Sequence, residues 1–82
     1  MNEKIKLIQI NYCGVWGFYP QASSLEAYLK DNLQIEEDNI NLTDVGRGIF
    51  QVLVNDTVIF DNRTDDKNFP NEKEILEEIT SM

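Results

Sequence analysis

Hydrophobic and polar positions alternate along this chain in runs short enough to be read one element at a time. Residues 4–12 (KIKLIQINY) are rich in β-branched residues, with Ile5, Leu7, Ile8, Ile10 and Tyr12. The alternation begins polar-out and then blurs, which predicts a strand covered on both faces. Cys13-Gly14-Val15-Trp16-Gly17 follows, and its two glycines mark a tight loop. Beyond it Ala22, Leu25, Leu29 and Leu33 recur on one helical face. Pro20 suits the first turn of that helix, and Ser23 with Glu26 has the form of a capping box.

Asn32 and Glu36-Glu37-Asp38 read as a solvated connection, and residues 39–43 as a short strand with Ile40 and Leu42 inward. Asp44-Val45-Gly46-Arg47-Gly48 reads as a loop. Two further strands, 49–54 and 57–61, flank Asn55-Asp56, a two-residue hairpin turn. A polar loop at 62–68 leads to Phe69-Pro70 and a last helix, with Asn71 and Glu74 at its cap and Ile75, Leu76 and Ile79 inward. The order β-α-β-β-β-α pairs the first two strands in parallel through a crossover and adds an antiparallel hairpin. A four-stranded mixed sheet with two helices, a thioredoxin-like α/β layout, is the simplest closure. A ferredoxin-type split βαβ needs a second crossover, which this order lacks.

Length and charge narrow the picture. Eighty-two residues make a single domain, 1–82, with a modest core. Fifteen acidic and seven basic residues give a net charge of −8, which disfavours nucleic acid and anionic membranes as partners. No apolar run approaches the length of a membrane span, and the N-terminus has no signal-peptide pattern, so the expected compartment is the cytoplasm. The sequons at Asn41, Asn55 and Asn62 are then chance products of an Asn-rich sequence. One cysteine and no histidine exclude an internal disulfide, a Cys/His metal site and a Cys-His or Ser-His-Asp nucleophile. The carboxylates Asp61, Asp65 and Asp66, and Glu36, Glu37 and Asp38, lack the glycine and terminal glutamate of an EF-hand loop and read as solvated faces. Gly46-x-Gly48, with no third glycine and no following helix, is not a phosphate loop.

The segment Ile10-Asn11-Tyr12-Cys13-Gly14-Val15-Trp16-Gly17-Phe18-Tyr19-Pro20 closely resembles the redox loop of the selenoprotein W (Rdx) family: apolar strand, Tyr-Cys-Gly-x, Cys or selenocysteine, Gly-Tyr, then a leucine-bearing helix. Gly48-Ile49-Phe50-Gln51-Val52-Leu53-Val54 is similar to the family's Gly-x-Phe-x-Val strand, Val58-Ile59-Phe60 to the strand after its hairpin, and Asn68-Phe69-Pro70 to its final turn. The resemblance runs from about residue 5 to residue 79. It implies a thioredoxin-like fold and a thiol redox role.

One departure matters most. The family's second sulfur or selenium falls at Trp16, and an indole cannot attack a disulfide, so a two-sulfur cycle is not open to this polypeptide. Trp16 is a lost position turned to packing or binding, a UGA codon that specifies selenocysteine in some genes and tryptophan in some codes, or a plain core residue. A TGG codon excludes the second reading. There is also no proline at residues 45–48, where thioredoxins carry a cis-proline loop.

The resemblance makes Cys13 the candidate redox thiol, acting alone through a mixed disulfide with glutathione or a protein; the alternative is a small apolar residue buried against the sheet. No cofactor is implied beyond glutathione as a co-substrate. A helix N-terminus stabilises a thiolate by about 0.3–1 kcal/mol at an exposed site, so stronger activation needs a further donor. Arg47 is the cation best placed to supply it. Gly14, Val15, Gly17, Phe18, Tyr19 and Arg47 are the binding-surface candidates around Trp16, because exposed aromatics mark interfaces. The alternative function is therefore a non-enzymatic interaction module that binds a protein through the aromatic loop. The structural alternatives are that two of Trp16, Phe18 and Tyr19 close the core beneath the loop, that Gly14 and Gly17 serve backbone geometry, and that Arg47 is a solvated arginine. The chain is expected to be a monomer or a weak homodimer.

Overall fold

The computed structural model describes residues 7–65 and 67–82. Its elements are β1 (Ile8–Tyr12), α1 (Tyr19–Leu33), a single 3-10 turn (Glu37–Asn39), β2 (Ile40–Asp44), β3 (Gln51–Val54), β4 (Thr57–Asp61) and α2 (Glu72–Thr80). The four strands form one mixed sheet in the order β2-β1-β3-β4. β1 pairs in parallel with β2 (Ile8 opposite Ile40) and antiparallel with β3 (Ile8 opposite Val54). β3 pairs antiparallel with β4, with an irregularity between Val52 and Leu53. This is the thioredoxin-like arrangement expected from the element order. The stretch of the first strand before residue 7, and Asp66, lie outside the described residues.

One core joins both helices to one face of the sheet. Ile8, Ile10, Ile40, Val52 and Val54 share that face with Ala22, Leu25, Leu29 and Leu33 of α1 and Ile75 and Ile79 of α2. The alternate positions of β1 carry Gln9 and Asn11, which are only half-buried. The expectation of a first strand covered on both faces is therefore corrected: the described part of β1 alternates cleanly and covers one side only. On the opposite face Asn11 Nδ2 donates to Gln51 Oε1 (3.0 Å), and Gln51 Nε2 donates to Asp61 Oδ2 (3.2 Å). Side-chain bonds of this kind satisfy polar groups where no helix packs.

Local signals explain the element ends, with two corrections. Helix α1 begins at Tyr19, so Ser23 and Glu26 lie inside it and form no capping box. The start is set by packing instead. Phe18 is buried, its N–H donates to the Cys13 carbonyl (3.0 Å), and its own carbonyl accepts from Ala22 (3.1 Å). At the other end Gln34 adopts φ 52°, and its N–H closes on Lys30 O. The acidic connection is exposed, as expected, and it contains a 3-10 turn around which Glu36 and Asn39 form a reciprocal cap.

The second correction concerns β3, which starts at Gln51 rather than Ile49. Asn62 replaces the ladder there, since its Oδ1 accepts from Phe50 N–H (3.0 Å) and its Nδ2 donates to Gly48 O (2.8 Å). The Asn55-Asp56 hairpin has φ of 50° and 71°, the two positive values of a type I′ turn. Asn71 caps α2 by accepting from Glu74 N–H (3.1 Å).

Candidate functional site

The loop after β1 stands at the C-terminal end of the parallel pair β1–β2, the edge at which open α/β sheets build their sites. Its conformation is fixed by backbone bonds and one carboxylate. Gly17 N–H donates to Gly14 O and Phe18 N–H to Cys13 O, both at 3.0 Å, so the chain turns tightly from Cys13 into α1. Asp44, at the end of β2, accepts from Gly14 N–H (3.0 Å) and from Gly46 N–H (3.2 Å) through Oδ1. Val45 N–H donates to Tyr12 O (2.8 Å). A Cβ on residue 14 would overlap the Asp44 carboxylate and push it from its present position.

Within this loop the side chains divide into buried and exposed sets. Cys13 is a free cysteine with no solvent exposure, and it belongs to the core cluster. Val15 is 89% exposed, Trp16 66% and Tyr19 52%. Trp16 is thus not a core residue. Its ring lies over Gly48, where a Cβ would come within 2.7 Å of Trp16 Cζ3, and its edge meets Phe18 at 5.9 Å between centroids. Gly48 has φ 67°, a conformation that side chains rarely adopt.

Two of the candidate binding residues take the structural role that was their alternative. Phe18 is 8% exposed and belongs to the core, with its ring 4.8 Å from Phe69. Gly14 is half-buried with its N–H occupied by Asp44, so it serves the loop's geometry. Gly17 stands exposed in the turn itself. Arg47 is exposed with φ 62°, and no hydrogen bond or ion pair joins it to Cys13. Arg47 is therefore a solvated arginine, the alternative to its pairing with Cys13, whose side chain lies in the core.

Three features escaped sequence reasoning. Asp44 was legible as a turn former, because Asp-x-Gly is an Asx-turn pattern, but its bond to Gly14 was not. The seat formed by Gly48 has no signature apart from the glycine. Phe69 joins Phe18 to Phe50 (5.4 Å), and Phe50 meets Phe60 (6.4 Å), so aromatic rings run from the loop into the core. Beside them opens a groove of about 330 Å³ lined by Pro20, Leu25, Phe50, Phe69, Pro70 and the polar rim Gln21, Ser24 and Glu72.

Among the described residues no group of three or more His, Cys, Asp or Glu side chains is arranged to hold a metal ion. Asp61 is instead bonded to Arg63 Nη2 (2.6 Å), and the guanidinium hydrogen bond holds its carboxyl down to about 2. Among the described residues no helix is long and apolar enough to cross a membrane.

Comparison with known proteins bears on the whole domain. The Rdx family model matches residues 7–81. A selenoprotein W-related protein from Vibrio cholerae has a similar structure, with a TM-score of 0.84 at 20% identity over 92% of each chain. A protein from Bordetella parapertussis gives 0.83 at 20% identity, covering 90% of this chain and 92% of that one. At these identities the two structures speak for the fold. No curated protein matches the sequence.

Proposed function

Since the chain belongs to the Rdx family, we propose that it has a thiol redox role of that family's type, reduced to a single sulfur at Cys13. The observation that carries this reading is the position of Cys13. It follows β1 directly, in the loop that turns into α1, at the sheet edge where such folds build sites. The chemistry follows from having one sulfur. The Cys13 thiolate attacks a disulfide, forming a mixed disulfide and releasing one thiolate. An external thiol such as glutathione then attacks the mixed disulfide and returns Cys13 as thiolate. Trp16 takes no part in either transfer.

Cys13 is fully buried, so the loop must open before either step. The restraints on that opening are local: the Asp44–Gly14 bond, the turn bonds at Gly17 and Phe18, and the seat of Trp16 on Gly48. Segments held by few contacts open well below the cost of global unfolding.

A second reading, a protein-binding module without chemistry, is favoured by the exposure of Val15 and Trp16 on the loop and of Tyr19 at the start of α1. Intact-mass analysis after incubation with glutathione disulfide separates the two. The redox reading expects one glutathionyl adduct on the folded protein, none on Cys13→Ser, and its removal by excess glutathione. An unmodified native protein whose partner capture depends on Trp16 favours the binding module instead.

A further inference from the structure

We propose that the groove between α1 and the start of α2 is a docking site for an extended segment of a partner protein, one that presents an aliphatic side chain next to a lysine or arginine. The floor is Leu25 and Phe50, both essentially without solvent exposure, and the walls are Pro20, Phe69 and Pro70. At about 330 Å³ the groove is at the small end of ligand sites, roughly 300–1,000 Å³, a size that suits side-chain anchors better than a whole small molecule. The rim supplies polar groups at Gln21, Ser24 and Glu72 and no cation.

Charge selects the occupant. Ser24 Oγ donates to Glu72 Oε2 (2.7 Å), which fixes this carboxylate at the rim. Glu72 is the charged residue of the groove's lining, on a chain of net charge −8. A cationic segment is therefore drawn in, while a second copy of this chain is repelled. The groove shares Phe69 with the ring contacts that reach the Cys13 loop, since Phe69 meets Phe18, which meets Trp16. A segment held there touches the first turn of α1 at Pro20 and Gln21, directly after that loop. The inference deepens the redox reading by giving Cys13 a polypeptide partner, yet binding itself requires no thiol.

The test titrates the isotope-labelled protein with three short, cysteine-free synthetic peptides. They share a leucine-valine anchor flanked by lysine, serine or glutamate. The lysine peptide is expected to shift the amides of Gln21, Ser24, Leu25, Phe69 and Glu72, to bind about tenfold tighter than the glutamate peptide, and to weaken as salt is raised. Ser24→Trp, at an exposed helix position, fills the groove and should cost about tenfold in affinity. Glu72→Gln, the milder variant, should cost about two- to fivefold for the lysine peptide only. Cys13→Ser should bind as well as the parent, so a failure of thiol chemistry is separable from a failure of docking. The proposal is overturned by the absence of groove shifts with any peptide, by equal or tighter binding of the glutamate peptide, or by groove shifts that follow protein concentration alone.

Discussion

Trp16 and Gly48 have to be considered together, because the indole occupies the space that a side chain on residue 48 would need. In Gly48→Ala the new methyl meets both a φ of 67° and the Trp16 ring, so the variant should lose about 1–3 kcal/mol in urea unfolding. Its tryptophan emission should shift to the red as the ring is displaced. In a Trp16→Ala background the same substitution should cost less, because only the backbone strain remains, and the double-mutant cycle measures the difference. Equal costs in both backgrounds would mean that the ring does not rest on Gly48. At this scale the Tyr-Cys-Gly loop was legible in the sequence, since its residues are contiguous. Asp44 and Asn62 were not: their partners lie 30 and up to 14 positions away, and only the folded sheet brings them together.

The elements were legible wherever periodicity and a cap agreed. Asn71 before the α2 pattern is such a case, and Asn71→Ala should cost about 1 kcal/mol in thermal or urea unfolding. Ser23 is the counter-example. It matches the capping motif but sits in the second turn of α1, so Ser23→Ala should change stability by less than about 0.5 kcal/mol. The motif misled because the start of α1 is fixed by a buried aromatic, Phe18, whose backbone bridges Cys13 and Ala22. The start of β3 moved for a related reason, as the Asn62 side chain serves Phe50 N–H in place of a neighbouring strand. The adjoining apolar residues 7 and 8 predict a two-sided β1, although Gln9 and Asn11 keep strict alternation beyond them.

For the whole molecule, fold class followed from element order alone, because a crossover followed by a hairpin leaves few ways to close a sheet. Charge behaviour follows from composition plus one pair the sequence did not announce. Asp61 is depressed from 3.8 to about 2 by Arg63, so the pair favours the folded state above about pH 4 and loses that contribution as pH falls toward 2. Asp61→Asn should therefore lower stability at neutral pH and narrow the difference from the parent in acid, as read by urea unfolding across pH 2–7 (roughly the range over which the pair titrates). A difference independent of pH would assign the effect to packing.

The central claim, that Cys13 reacts from a folded domain once its loop opens, is tested most directly by the rate of its reaction with an aromatic disulfide as urea is raised from zero. Local opening predicts modification faster than global unfolding allows and almost independent of low urea, with the steep dependence of full unfolding appearing only later. A rate that follows the global unfolding line from the start would make Cys13 a structural core residue and leave the exposed Val15, Trp16 and Tyr19 as the working surface.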